Sequence, residues 1–138
     1  MFMNLPEVNM MSVLAAAVAY FFIGWLWYSV LFMKQWAEEV GRHNAKKPSH
    51  EMMKKNMVLT FIMNLVTALA MAYLVVMTDS ASMESGLHLG LIAALGLAAT
   101  SIAGVFIWEC RSLRLYLIDT GYAAAGIIAS GIILSLWR

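Results

Sequence analysis

Four long apolar runs alternate with short polar segments along this chain. The first covers residues 11–33 and contains no charged residue. As a helix rising 1.5 Å per residue it spans roughly 34 Å, enough to cross a hydrocarbon layer of about 30 Å. The others cover 57–78, 86–108 and 113–137, and only Arg114 and Asp119 place a formal charge inside them. The pattern predicts an all-α fold, an integral membrane bundle of four transmembrane helices forming one domain over residues 1–138. Asn4, Pro6 and Asn9 are start signals for the first helix. Ser49 is a suitable N-cap for a helix beginning at His50, with Glu51 in its first turn. Lys34–Val40 predicts a short surface helix with Trp36 and Val40 on one side, and Gly41, Asn44 and Pro48 mark the loop after it.

Within the runs, side chains recur at helical spacing. Phe21, Trp25, Tyr28 and Phe32 fall at i, i+4, i+7 and i+11 and form an aromatic stripe, read first as packing and as an interfacial belt. Its sharper reading is one wall of a ligand site. Thr60, Asn64 and Thr67 follow the same spacing and give the second span a polar stripe. Such a stripe is expected to face protein and to hydrogen-bond across helices, or else to line a hydrophilic path. Gly86, Gly90 and Gly104 in the third span, and Gly121, Ala125 and Gly126 in the fourth, are small positions predicted to bring helix backbones together.

Composition agrees with lipid as the main solvent, since 62% of residues are hydrophobic and 12% charged, against about 45–50% and 25% in soluble domains. The formal charge of +1 conceals an asymmetry. The 34–56 segment carries six Lys or Arg against three Glu, and the 109–114 turn two more, whereas the first ten residues and the 79–85 turn have none. The positive-inside rule therefore places 34–56 and 109–114 in the cytoplasm and both termini outside. No Lys or Arg precedes the first apolar run, so it is expected to be a retained helix and not a signal peptide. Trp137 and Arg138 are expected to anchor at the interface. Cys110 is the single cysteine, which rules out an intrachain disulfide; ordinary packing is expected for it.

One constellation carries candidate chemistry. Lys34, Glu109, Arg111 and Asp119, with Tyr28 and Tyr122, gather where the third and fourth spans meet the inner face. Asp119 lies about 8–10 Å inside its helix, and an ionisable group at that depth asks for a partner. Arg111 is the expected one, in a buried ion pair that locks the two helices; a proton or cation site is the functional alternative. No phosphate loop, nucleophile–base set or metal-ligand spacing is present, His43 and His50 being read as solvated loop residues, so no enzyme activity, cofactor or metal is expected. The chemistry that remains favours an oligomeric permeation or transport protein for ions or small solutes. The alternative is a non-catalytic accessory subunit bound to another membrane protein. A lipid bilayer and a second copy of the chain are the expected partners, and nucleic acid is not.

The same residues carry a family resemblance. The runs Asn4–Asn9, Gly24–Trp36 and Trp108–Arg138 resemble the bacterial domain-of-unknown-function family 1761, small four-helix membrane proteins. Trp27, Tyr28, Leu31, Phe32, Lys34 and Trp36 match one part of its pattern, and Glu109, Arg111, Ile118, Asp119, Gly121 and Tyr122 another. Val30 and Met33 stand where that pattern has Pro and Gly, so the resemblance does not by itself imply a sharp break in the first helix. It implies the fold and a multi-pass location in the bacterial inner (plasma) membrane, and no reaction.

Overall fold

The computed structural model describes residues 7–41 and 50–137. Asn4, Pro6, Arg42, His43, Asn44, Lys46, Lys47, Pro48, Ser49, Arg138 and the side chain of Val40 lie outside the described set. Five helices account for nearly all of the rest: α1 (Met10–Leu31), α2 (Met33–Gly41), α3 (His50–Met77), α4 (Met83–Trp108) and α5 (Leu113–Leu136). All but α2 are long and apolar enough to cross a membrane, and no strand occurs among the described residues.

Short polar residues set where α1, α4 and α5 start. The Asn9 side chain accepts from the Met11 amide at 3.0 Å and caps α1. Ser82 and Ser85 exchange side-chain and backbone hydrogen bonds as a capping box, so α4 begins three residues before its apolar run. Ser112 accepts from the Leu115 amide at 3.1 Å and caps α5. Both turns between long helices end by one device. Asp79 and Cys110 adopt left-handed backbone, φ 55° and 53°. The following amides, of Ser80 and Arg111, reach back five residues to the carbonyls of Val75 and Phe106. This is the Schellman closure, usually built on glycine. Cys110 is therefore a turn residue with an exposed side chain, in place of the packed residue expected, because the left-handed turn lifts it off the bundle.

Two helices are locally wide. Over Trp27–Leu31 the ladder takes π-type spacing, the Phe32 amide bonding the Trp27 carbonyl, and the chain then bends at Phe32 (φ −125°, ψ 20°) into α2. The break at the end of α1 thus forms over residues 27–33, which hold neither Pro nor Gly. Ile92–Ala99 is a second wide stretch, within α4. At its end the Tyr116 hydroxyl donates to the Ala99 carbonyl at 2.9 Å, tying α4 to α5.

The bundle is organised around α5, which packs against α1, α3 and α4. Of its most apolar stretch 39% is buried within the chain, against 22–28% for the other spans. The core is made largely of small residues: Ala16 and Ala17 of α1, Ala68 and Ala72 of α3, Ala93 and Ala94 of α4. Where lipid is as apolar as leucine, close backbone approach and dispersion supply the packing energy. Gly86 and Gly131 show it most directly, since a β-carbon on either would stand 2.7 Å from the other's carbonyl oxygen. Gly90 lies as close to the Ile128 backbone. Gly104 does not share this role: nothing in the chain comes within 4 Å of where its β-carbon would be.

Candidate functional site

The wide turn of α1 decides what its inner end presents. It lets two successive residues, Trp27 and Tyr28, both reach α5. The Trp27 Nε1 donates to the Ile118 carbonyl at 2.9 Å, and the Tyr28 hydroxyl donates to Asp119 Oδ1 at 2.8 Å. Asp119 is the seventh residue of α5, about 9 Å along from its first. Its hydrogen-bonding partner is thus a tyrosine on the first helix, not Arg111. Wide helical turns often re-aim side chains in this way at functional sites.

Tyr28 belongs to a chain of aromatic rings. Tyr20 and Tyr28 each meet Tyr122 edge to face, at 5.1 and 5.3 Å between centroids, and Trp36 of α2 meets Tyr28 at 5.5 Å. The Tyr122 hydroxyl donates to Asn64 Oδ1 at 3.3 Å, carrying the connection to α3. Small residues make room for these rings: Gly24 lies under Tyr122, Gly121 under Trp27 and Gly126 under Tyr20. Gly121 and Gly126 therefore serve the α1–α5 seam, and the close contact with α4 falls further along, at Gly131. Ala125 is half-buried between them. The polar stripe of α3 divides in the fold. Asn64 is buried, with its Nδ2 lacking a partner among the described residues. Thr67 is half-buried, and Thr60 is exposed, its hydroxyl turned back to the Asn56 carbonyl at 2.7 Å.

The ionic residues separate into two groups. Arg111 pairs with Glu109 at 3.4 Å on the exposed turn and stacks over Phe106, so the expected buried pair with Asp119 is absent. The left-handed turn at Cys110 keeps both side chains outside, where their charges stay hydrated. Lys34 is exposed and pairs with no described residue. A second cluster was not expected. Glu39 of α2, only 6% exposed, accepts from the Ser112 hydroxyl at 2.7 Å, and Arg114 lies 3.4 Å from Glu38 and 3.7 Å from Glu39. Through it α2 docks on the capped start of α5.

The aromatic stripe also divides. Phe21 meets Phe61 of α3 edge to face at 5.9 Å, Phe32 meets Trp27 at 5.0 Å, and Trp25 is 52% exposed beside Phe22. Between α1 and α3 a lateral cleft of about 550 Å³ opens beside Trp25, Tyr28, Ser29, Met53, Met57 and Thr60. Spacing alone could not pick out Trp27 and Glu39, because the wide turn brings the first to α5 and the α2 dock buries the second. Among the described residues no cluster of three or more His, Cys, Asp or Glu could hold a metal ion.

No curated protein and no solved structure matches this chain. The family described as Protein of unknown function (DUF1761) matches residues 11–135, which include the whole Tyr28–Asp119–Tyr122–Asn64 network. The chain belongs to that family.

Proposed function

We propose that this multi-pass protein is non-catalytic, sits in the bacterial plasma membrane with both termini outside, and self-associates to pass ions or small solutes. One observation carries the reading: Asp119 is only half-buried in the single chain although it lies within a span. A carboxyl group at that depth is costly unless protein or water covers its remaining surface. A second copy, or a hydrated path between copies, supplies that cover. Tyr28 then orients the carboxyl group towards it. Flux of ions and small solutes from proteoliposomes tests this. Wild-type protein is expected to conduct, and Asp119→Asn, which keeps an acceptor for Tyr28, to lose flux while remaining folded. Absence of flux from well-folded wild type, or equal flux from the variant, removes the proposal.

The accessory reading is favoured by a different surface. Gly96, Thr100 and Gly104 lie four apart on α4; a β-carbon at Gly96 or Gly104 would meet nothing within 4 Å, and Thr100 is exposed. A face of this kind suits another transmembrane helix. Co-purification from native membranes separates the readings, since a stoichiometric foreign subunit supports an accessory role and a pure homo-oligomer opposes it.

A further inference from the structure

The α1–α3 cleft sits at a particular level of the bundle. α3 has 28 residues, or about 42 Å of helix against a hydrocarbon layer of about 30 Å. Its first two turns, residues 50–56, are exposed throughout and carry Lys54, Lys55 and Glu51. The cleft begins at Met53 and ends at Thr60, so it straddles the level where headgroups give way to chains. Its walls are mostly apolar and adaptable, with Trp25, Met53 and Met57 each about half exposed. Methionine side chains shape themselves to flexible apolar partners.

Charge selects the occupant. In the sequence Glu38 and Glu39 offset the basic segment, but in the fold both are turned to α5, held by Arg114 and Ser112. Lys34, Lys54 and Lys55 make no ion pair with a described residue, and Glu51 is the one exposed acid beside them on α3. Lys54 is three residues from Met57, hence a same-face neighbour on the flank of the cleft. Ser29 lines the cleft, and its hydroxyl makes no hydrogen bond within the described residues. A hydroxyl and an ammonium with no partner among the described residues thus flank an apolar trough at headgroup level.

We propose that this cleft seats one anionic phospholipid, with an acyl chain along Trp25 and Met57 and the phosphate at Ser29 and Lys54. The site stands independently of the permeation reading. Quenching of tryptophan by lipids with brominated acyl chains tests it on the full-length protein in bilayers. The Trp25 signal is the difference between wild type and Trp25→Phe. Brominated phosphatidylglycerol is expected to compete for Trp25 about fivefold better than brominated phosphatidylcholine, the preference of one well-placed lysine. The Lys54→Gln, Lys55→Gln pair is expected to bring the two lipids near parity. Ser29→Leu, which narrows the cleft without altering charge, is expected to reduce quenching by either lipid. Equal competition by both lipids in wild type overturns the proposal. A preference that survives loss of both lysines does so too. Loss with the lysines but not with Ser29→Leu also overturns it, because that pattern marks general attraction to the membrane surface. Both lysines and Ser29 are exposed, and the wild-type comparison needs no variant.

Discussion

The Tyr28–Asp119 bond joins residues 91 apart in sequence and places a polar contact where water is scarce. Tyr28→Phe removes the donor and keeps the ring, so it is expected to lower stability in detergent by about 1–3 kcal/mol, read from thermal or denaturant unfolding. Asp119→Ala is expected to destabilise more than Glu109→Ala. The Glu109–Arg111 pair is exposed on both sides, and such pairs contribute about 0–1 kcal/mol. Equal melting temperatures for the two variants would contradict this ranking. At Cys110 the backbone conformation decides the outcome. Cys110→Gly is expected to keep or raise stability, whereas Cys110→Val, β-branched at positive φ, is expected to cost about 1–2 kcal/mol. At this scale the sequence identified the right kinds of residue but not their pairing. Asp119 and Tyr28 stood out as polar groups at depth; only the wide turn, invisible to a fixed 3.6-residue period, tells that they meet.

Single elements were more legible. The four spans are long and free of charge for most of their length, so the hydrophobic signal outweighs any ambiguity of propensity. Asn9 marks the start of α1 in sequence and fold alike, whereas Ser82 and Ser112, which cap α4 and α5, were not among the expected start signals. Which glycines matter was harder to read, because spacing does not say which face a neighbour covers. Gly86→Leu is expected to break the α4–α5 seam and cost more than about 2 kcal/mol, since its place is filled by the Gly131 carbonyl. Gly104→Ala, with open space around it, is expected to be neutral or to stabilise by about 0.5–1 kcal/mol through helix propensity. Parallel melting curves of the two variants check both. The dock of α2 makes a further prediction. Glu39→Ala leaves Ser112 and Arg114 without their buried acceptor, so amide exchange across α2 should accelerate well beyond that in Glu38→Ala. Similar exchange in the two variants would mean that the buried carboxylate does not hold α2.

For the molecule as a whole, both basic surfaces are predicted to share one side of the membrane. Single cysteines at Lys55 and Arg114, in a Cys110→Ser background, are expected to label together from the cytoplasmic side and to resist reagents added outside. Labelling from opposite sides would reject the four-span topology. The order of the helices along the chain has a consequence for assembly. α4 leans on α5 and has little contact with α1 or α3, yet α5 is made after all of them. Until α5 enters the bilayer, the strip from Gly86 to Gly90 faces lipid without a mate, and insertion machinery or a chaperone has the longest opportunity to hold it there. Stalling synthesis before residue 126 should therefore leave α1 and α3 paired and α4 free to drift, a separation that crosslinking on arrested ribosomes would record.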